Sequence, residues 1–264
     1  MSELTQLAAW AEGVAERAGA LVRTLRESHD VCAHLKQGHE LVTNADMASD
    51  ELIRDATSRH TPHAQYFSEE RAAAVDWERP TWVVDPLDGT VNYLYGHAHV
   101  GISLAYVVGG EVQLGVVHAP FQRETFVAVR GEGASLNGSP LPRRSAPALA
   151  EALISTGFPH DHSRLEAMMS RFAAVLGRCR DLRRLAAPTL DICWVATGRL
   201  DAAYETLRPW DVAAAGLIAR ESGVLRGHYT DTETGLPAEL CGQDVAFAPP
   251  ELLTPLLAVL RRGS

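Results

Sequence analysis

Along the first thirty residues, Leu4, Leu7, Ala8, Ala11, Val14, Ala15, Ala18, Leu21, Val22 and Leu25 recur three or four positions apart, which predicts one long amphipathic helix. A second helix is expected to begin near Asn44 or Ala45 and to carry Leu52 and Ile53 inward. That places Asp46 in its first turn, where a carboxylate suits the helix dipole and can act as a simple cap. The period then changes. Val100 to Val108, Val112 to His118 and Thr125 to Val129 are apolar or alternating runs separated by Gly109-Gly110 and by Pro120 with its polar neighbours, the pattern of an antiparallel meander. Beyond Leu153-Ile154-Ser155, helices are expected from about Arg164 to Gly177, Thr189 to Thr197 and Trp210 to Ser222, alternating with short strands. An α+β order first and an α/β order later is consistent with two sheets sandwiched between helix layers. No internal repeat, low-complexity segment or long linker interrupts the chain. Only a composition shift near residues 140–150 marks a boundary, so the chain reads as residues 1–145 and 146–264, either one large domain or two intimate halves.

One apolar run ends in chemistry. Trp82-Val83-Val84 leads directly into Asp85-Pro86-Leu87-Asp88-Gly89-Thr90-Val91-Asn92. Pro86 fixes the backbone between Asp85 and Asp88, so a single tight turn can bring both carboxylates to one point at the carboxyl end of the strand. Two carboxylates ~4 Å apart repel by about 4 kcal/mol at an effective dielectric near 20. A divalent cation removes that cost, and hard oxygen donors favour magnesium, manganese or calcium over zinc. Gly89 lets the backbone approach a ligand closely, and Thr90 offers a hydroxyl where a helix can begin and present N–H groups to an anion. A metal beside an anion cradle points to phosphate ester chemistry. An Asp-rich turn that merely caps a strand is the alternative.

Composition narrows the field. The chain has 264 residues, is 46% apolar and contains no apolar run near the length of a membrane span, which predicts a soluble globular protein. A net charge of −9 argues against a nucleic-acid binder held by phosphate contacts. The basic pairs Arg143-Arg144 and Arg183-Arg184 read as ordinary solvated arginines. Cys32, Cys179, Cys193 and Cys241 form no C-x-x-C pair, so neither a zinc site nor a disulfide framework is expected. Glu3, Glu12 and Glu16 interrupt any secretory pattern, which leaves a cytoplasmic enzyme with reduced thiols as the expectation. Among the eleven histidines, His29, His34 and His39 repeat at an interval of five, a poor helical spacing for a shared ligand, and His97 and His99 flank a strand start. His160 and His162 follow Pro159 and could line a substrate entrance.

Two further segments join the Asp-rich one: Phe67-Ser68-Glu69-Glu70 after a short apolar stretch, and Pro209-Trp210-Asp211 at the start of a helix. In this order and at these separations the three resemble the inositol monophosphatase family of magnesium-dependent, lithium-sensitive phosphatases, from about Leu7 to Leu260. Leu41-Val42-Thr43-Asn44-Ala45-Asp46 is similar to the family's early LVT-x-x-D segment, Ser68-Glu69-Glu70 to its GEE, and Trp82 to Asn92 to its W-x-x-DP-[IL]-DGT-x-N. Gly131 to Ala134 with Leu136-Asn137-Gly138 resembles the family hairpin. Val195 to Gly198, with Asp201 and Pro209-Trp210-Asp211, resembles its C-terminal signature.

The resemblance implies a layered α-β-α-β-α sandwich and a ligand set. Glu69, Asp85, the Leu87 carbonyl, Asp88 and Asp211 would hold Mg²⁺, two or three ions per subunit, with Mn²⁺ a possible substitute. Thr90, with Asp46 beside it, would orient the attacking water, Glu69 would belong to the same catalytic group, and Gly89 and Thr90 would receive the phosphate. No covalent intermediate is needed. A substrate wall is expected from Ala186-Ala187-Pro188-Thr189, where inositol phosphatases commonly carry Gly-Ser/Thr-Ala-Ala, and from Glu205, placed where family members bind ring hydroxyls. The implied activity is hydrolysis of a small phosphorylated polyol or amino alcohol, first inositol 1-phosphate. Histidinol phosphate, another sugar or nucleotide phosphate, or a regulatory protein retaining the fold are the alternatives. No nucleic-acid or membrane partner is expected, and the family implies a homodimer.

Overall fold

The computed structural model describes residues 2–29, 31–35, 41–143, 145–158, 164–232 and 235–262. The chain opens with α1 (Glu3–Glu27), whose buried stripe of Ala8, Ala11, Val14, Ala15, Ala18 and Val22 is the face that the spacing predicted. A short antiparallel pair, β1 (Ala33–Leu35) with β2 (Leu41–Thr43), leads into α2 (Asn44–His60), which turns Ile53 fully inward.

Next come β3 (Gln65–Ser68) and, parallel to it, β4 (Thr81–Asp88). After the short α3 (Thr90–Leu94), the chain runs back and forth through β5 (Gly101–Val108), β6 (Glu111–Ala119), β7 (Glu124–Val129), β8 (Gly133–Leu136) and β9 (Ser139–Pro140). The sheet order is β3-β4-β5-β6-β7-β8-β9, antiparallel from β4 onward. The meander is therefore longer than its apolar runs foretold. Asn137 and Gly138, with φ of 49° and 75°, supply the left-handed turn that folds β8 back into β9.

The remainder comprises β10 (Leu153–Thr156), α4 (Leu165–Leu176), β11 (Asp181–Arg183), α5 (Pro188–Thr197), β12 (Ala202–Glu205), α6 (Pro209–Glu221), β13 (Leu225–His228), β14 (Val245–Ala248) and α7 (Pro250–Arg262). Their sheet has the order β11-β10-β12-β14-β13. The expected alternation of helices and strands holds from β10 to β13, with β10, β11 and β12 parallel. β14 pairs antiparallel with both β12 and β13, and among the described residues the connection from β13 to β14 carries a 3-10 turn in place of a crossover helix.

The layers follow from where apolar side chains point. α1 and α2 cover one face of the larger sheet, sharing a core with Trp82, Val84, Ile102, Leu104, Leu114 and Val116. α5 and α6 fill the middle layer against Val83, Ala105, Val107 and Val117, and the same core reaches Phe247 of the smaller sheet. α4 and α7 close the outer side over Ile154, Ala202 and Ala246. This is the α-β-α-β-α sandwich. β4 is buried on both faces, which explains its unbroken apolar run. One close approach sets the depth of the functional end: a Cβ on Gly115 would lie 2.8 Å from the Ala214 backbone. With only Ala213, Ala214 and Ala215 on that turn, α6 lies directly on β6 and delivers its N-terminus to the end of β4.

Candidate active site

The Asp85–Asp88 segment is not a turn after the strand, as its sequence led one to expect. β4 continues through Asp88, which pairs with Gly101, and the register shifts between Asp85 and Asp88. Pro86 has no amide for the ladder, and the Leu87 amide donates to Asp85 Oδ1 at 3.0 Å, so the residues between the two carboxylates bulge out of the sheet. The buried Ser49 hydroxyl of α2 anchors the bulge by donating to the Pro86 carbonyl at 2.7 Å.

Three other elements converge on this bulge. β3 runs parallel to β4, and the Glu69 amide donates to the Val84 carbonyl at 3.2 Å, which carries Glu69 alongside Asp85. Behind it, buried Asp50 accepts from Ser68 at 2.7 Å and from Arg71 at 2.6 Å, tying down the end of β3. From the far side, α6 begins with Pro209 and caps itself with Asp211, whose carboxylate accepts from the Arg208 amide at 2.7 Å. From α5, the Thr189 amide donates to Asp88 at 2.8 Å, and the Thr189 hydroxyl bonds the same oxygen.

Asp46 both caps α2 and reaches Thr90. One of its oxygens accepts from the Thr43 amide at 2.8 Å and from the Thr43 hydroxyl, completing the capping box of α2. The other accepts from the Thr90 hydroxyl at 2.8 Å, and Thr90 also lies 3.2 Å from the Leu87 carbonyl. Gly89, at φ 87°, makes this approach possible: a Cβ there would sit 3.0 Å from the His99 carbonyl and 3.2 Å from Ala187.

The cluster is electrostatically frustrated. Burial, followed by the charges of Glu69, Asp88 and Asp211, holds the Asp85 carboxyl well above the usual carboxylate range. Burial likewise pushes Asp88 up to about 8 against the opposing bonds from Thr189, and pushes Asp211 up to about 8 with Asp88 adding to it. Burial also raises Asp46. Among the described residues no three His, Cys, Asp or Glu side chains are already arranged to hold a metal ion. Asp85, Asp88 and Asp211 each commit one oxygen to a local donor, and like charges without a counter-ion stay apart. The donor set, carboxylates with one backbone carbonyl, nonetheless fits a hard divalent cation.

A cleft of about 240 Å³ opens over these groups, with Glu69, Asp85, Leu87, Asp88, Gly89, Thr90 and Asp211 along its floor. Its wall includes Ala186, Pro188 and Glu205 but not Ala187 or Thr189. Both of those are fully buried: Ala187 packs behind Gly89, and Thr189 grips Asp88 from behind. The expected four-residue wall is thus two residues of lining and two of support. Arg184 and Arg208 also line the cleft. Arg184, expected with Arg183 to be an ordinary solvated arginine, instead lines the cleft, whereas Arg183 pairs with Asp181 at 2.5 Å on the surface.

The histidines stand apart from the floor. His99 bonds Asp191 at 2.8 Å and packs edge-on against Trp194, His97 offers its carbonyl to Arg26, and His34 is exposed on β1. His39, His160, His162 and Arg144 lie outside the described residues. The four cysteines are free thiols.

With the geometry established, comparison with known proteins decides the lineage. The profile of the inositol monophosphatase family matches residues 3–262. The chain belongs to this family. A Pasteurella multocida protein named Nus factor SuhB is 37% identical over 241 residues, covering 89% of this chain and 88% of its own. Inositol monophosphatase 1 of Solanum lycopersicum is 34% identical over 247 residues, covering 90% and 88%. Among solved structures, the extragenic suppressor protein suhB of Bartonella henselae superposes with a TM-score of 0.89 at 27% identity, covering 98% of this chain and all of that one. Family membership supports a phosphatase of the inositol monophosphatase type with a metal-dependent site. Among the described residues no helix is long and apolar enough to cross a membrane.

Proposed function

We propose that the cleft hydrolyses a small phosphate monoester, with inositol 1-phosphate the first substrate to test. Glu69, Asp85, the Leu87 carbonyl, Asp88 and Asp211 would hold Mg²⁺, two or three ions per subunit, with Mn²⁺ as a substitute. When bound, such cations neutralise phosphoryl charge and acidify water. The chain's own residues do the rest. The Thr90 hydroxyl donates to Asp46, so its lone pairs are left to accept a proton from a water above the floor. As Thr90 Oγ1 takes that proton, its own passes to Asp46 Oδ1, a carboxylate held rigidly by Thr43 and raised by burial. The Gly89 and Thr90 amides, at the start of α3, would receive the phosphate. Glu205, on the wall, offers a carboxylate to a hydroxyl or ammonium of the alcohol part.

The observation that carries this reading is the Thr90–Asp46 bond, 2.8 Å long, beside a carbonyl and four facing carboxylates. A panel of inositol 1-phosphate, histidinol phosphate, fructose 1,6-bisphosphate and 3′-phosphoadenosine 5′-phosphate, assayed for phosphate release with Mg²⁺, tests it. No release from any of them would favour the second reading, a regulatory protein acting through another surface, which the name of the Pasteurella relative supports. An exposed stripe of Leu165, Met169 and Leu176 along α4 supports the homodimer.

A further inference from the structure

Behind Glu205 lies a second, smaller cavity of about 30 Å³. Phe158, Glu205 and Thr206 line both it and the cleft, so the two share a wall. Arg171 and Phe172 of α4, Tyr204 of β12, and Tyr229 also line it.

The polar groups around Asp244 are already matched. Asp244 accepts from Arg164 at 2.6 Å, from Thr206 at 2.5 Å and from Thr230 at 2.7 Å. Arg171 is different. Only 5% of it is exposed, its guanidinium lies 5.2 Å from the centre of the Tyr229 ring, and its Nε has no hydrogen-bond partner. The Tyr204 hydroxyl, also 5% exposed and with Thr156 beside it, is without a partner in bonding geometry as well. A buried guanidinium Nε and a buried phenol left unsatisfied each cost folding free energy, and stacking on Tyr229 offsets only part of it. Both are donors, so what completes them is an acceptor, and beside a guanidinium the favoured acceptor is an anion. The cavity has room for about two water-sized groups, the size of a carboxylate's oxygens.

We propose that this cavity is a subsite for a carboxylate at the far end of the substrate, received by Arg171 and the Tyr204 hydroxyl. The proposal rests on the cleft being a phosphomonoesterase site, and it adds phosphate monoesters of hydroxy acids as a preferred substrate class. Glu205 and Thr206 then stand beside the middle of such a molecule.

The test is a matched series: phosphate esters of ω-hydroxy acids with three to six carbons, each against the monophosphate of the diol of equal length. At one chain length the acid should exceed the diol in kcat/KM by about tenfold or more, the worth of a buried charge-assisted bond. In Arg171→Met that ratio should collapse toward one, and in Arg171→Lys it should partly return. Tyr204→Phe, which removes only an unpaired hydroxyl, should lower the ratio about two- to fivefold and covers the case in which Arg171→Met does not fold. No preference for acids in the wild type at any length, or a preference that survives both substitutions, overturns the proposal. If no ester in the series or the earlier panel is hydrolysed, the phosphatase reading fails instead. Thermal shift with acetate and propionate then decides the cavity by itself: a rise in Tm that Tyr204→Phe or Arg171→Met removes supports it, and no rise in the wild type overturns it.

Discussion

α6 carries a charge cluster at each end, half-exposed at its C-terminus and buried at its N-terminus, and the two are built on opposite plans. At its C-terminal end, Glu239 accepts from Arg220 at 2.7 Å, from Arg130 and from the Val112 amide at 2.8 Å, while Arg226 donates to the Glu239 carbonyl at 3.0 Å. The chain supplies its own counter-charges there, and the cluster ties β6, β7, α6 and β13 together. At its N-terminal end, Asp211 joins Glu69, Asp85 and Asp88, and like charges raise one another. Charge that a chain balances by itself holds a fold together. Charge that it gathers and leaves opposed destabilises the fold locally and is fitted to a ligand of the other sign.

The strongest way to break this contrast is to remove charge from the opposed end. Asp88→Asn and Asp211→Asn should reduce phosphate release to near background, while the metal-free proteins melt at or above the wild-type temperature because a repulsion is gone. A loss of activity accompanied by a lower metal-free Tm would make these residues structural. Thr90→Ala should lower kcat by a factor on the order of 10²–10⁴, the range for losing acid–base assistance, with little change in Tm. Single-turnover phosphate release measures it, and a wild-type kcat would remove Thr90 from the proton path.

A pH titration sharpens the comparison. Asp88 and Asp211 titrate near 8 in the folded protein against an ordinary 3.8 when unfolded. Between those values the folded, metal-free protein holds more protons than the unfolded one, so this contribution is fully present below about 4 and is lost as pH rises through about 8. His118, pushed down to about 4 by burial, has the reverse sign, losing stability as pH falls below about 6.5. The rise in Tm caused by Mg²⁺ isolates the cluster, and after chelation with EDTA that increment should grow steadily from pH 5 to pH 8. An increment independent of pH would mean that the carboxylates do not repel.

At the balanced end, Glu239→Gln should cost about 1–3 kcal/mol of stability, read from denaturant midpoints, while the Mg²⁺ requirement for activity is unchanged. The smallest effect belongs to the wall. Ala186 sits at φ 63°, a left-handed conformation that a Cβ disfavours by about 1–2 kcal/mol. Ala186→Gly relieves that strain and adds unfolded-state entropy, so a net gain below ~1 kcal/mol is expected in the same unfolding measurement.

Much of the architecture was legible because its signals are local. The stripe on α1 names its own buried face, β4 announces burial on both sides, and the Asn137-Gly138 turn needs only two residues. The site was legible as a set of residue types. Asp85, Asp88 and Thr90 stand within six positions of one another, and family resemblance supplied Glu69, Asp46 and Asp211. The geometry that makes them a cluster was not legible. Whether Asp88 followed a turn or remained in the strand depended on pairing with Gly101.

The wall shows the limit most clearly. Ala186 to Thr189 look alike as a string, yet two face the cleft and two face inward, since Thr189 reaches across 101 positions to hold Asp88. Arg184 lines the cleft while Arg183 does not, and nothing in the pair distinguishes them. Arg171 reads as one polar residue on a helix. Only the packing of α4 over the smaller sheet puts its Nε indoors without a partner. Sequence by itself determined which segments bury which faces and which oxygen-bearing residues are available, because periodicity and turn chemistry act over a few residues. Tertiary structure alone decided which carboxylates meet, which are balanced and which donor is left waiting, because desolvation and Coulomb interaction depend on distances in space that the chain sets only when it is folded.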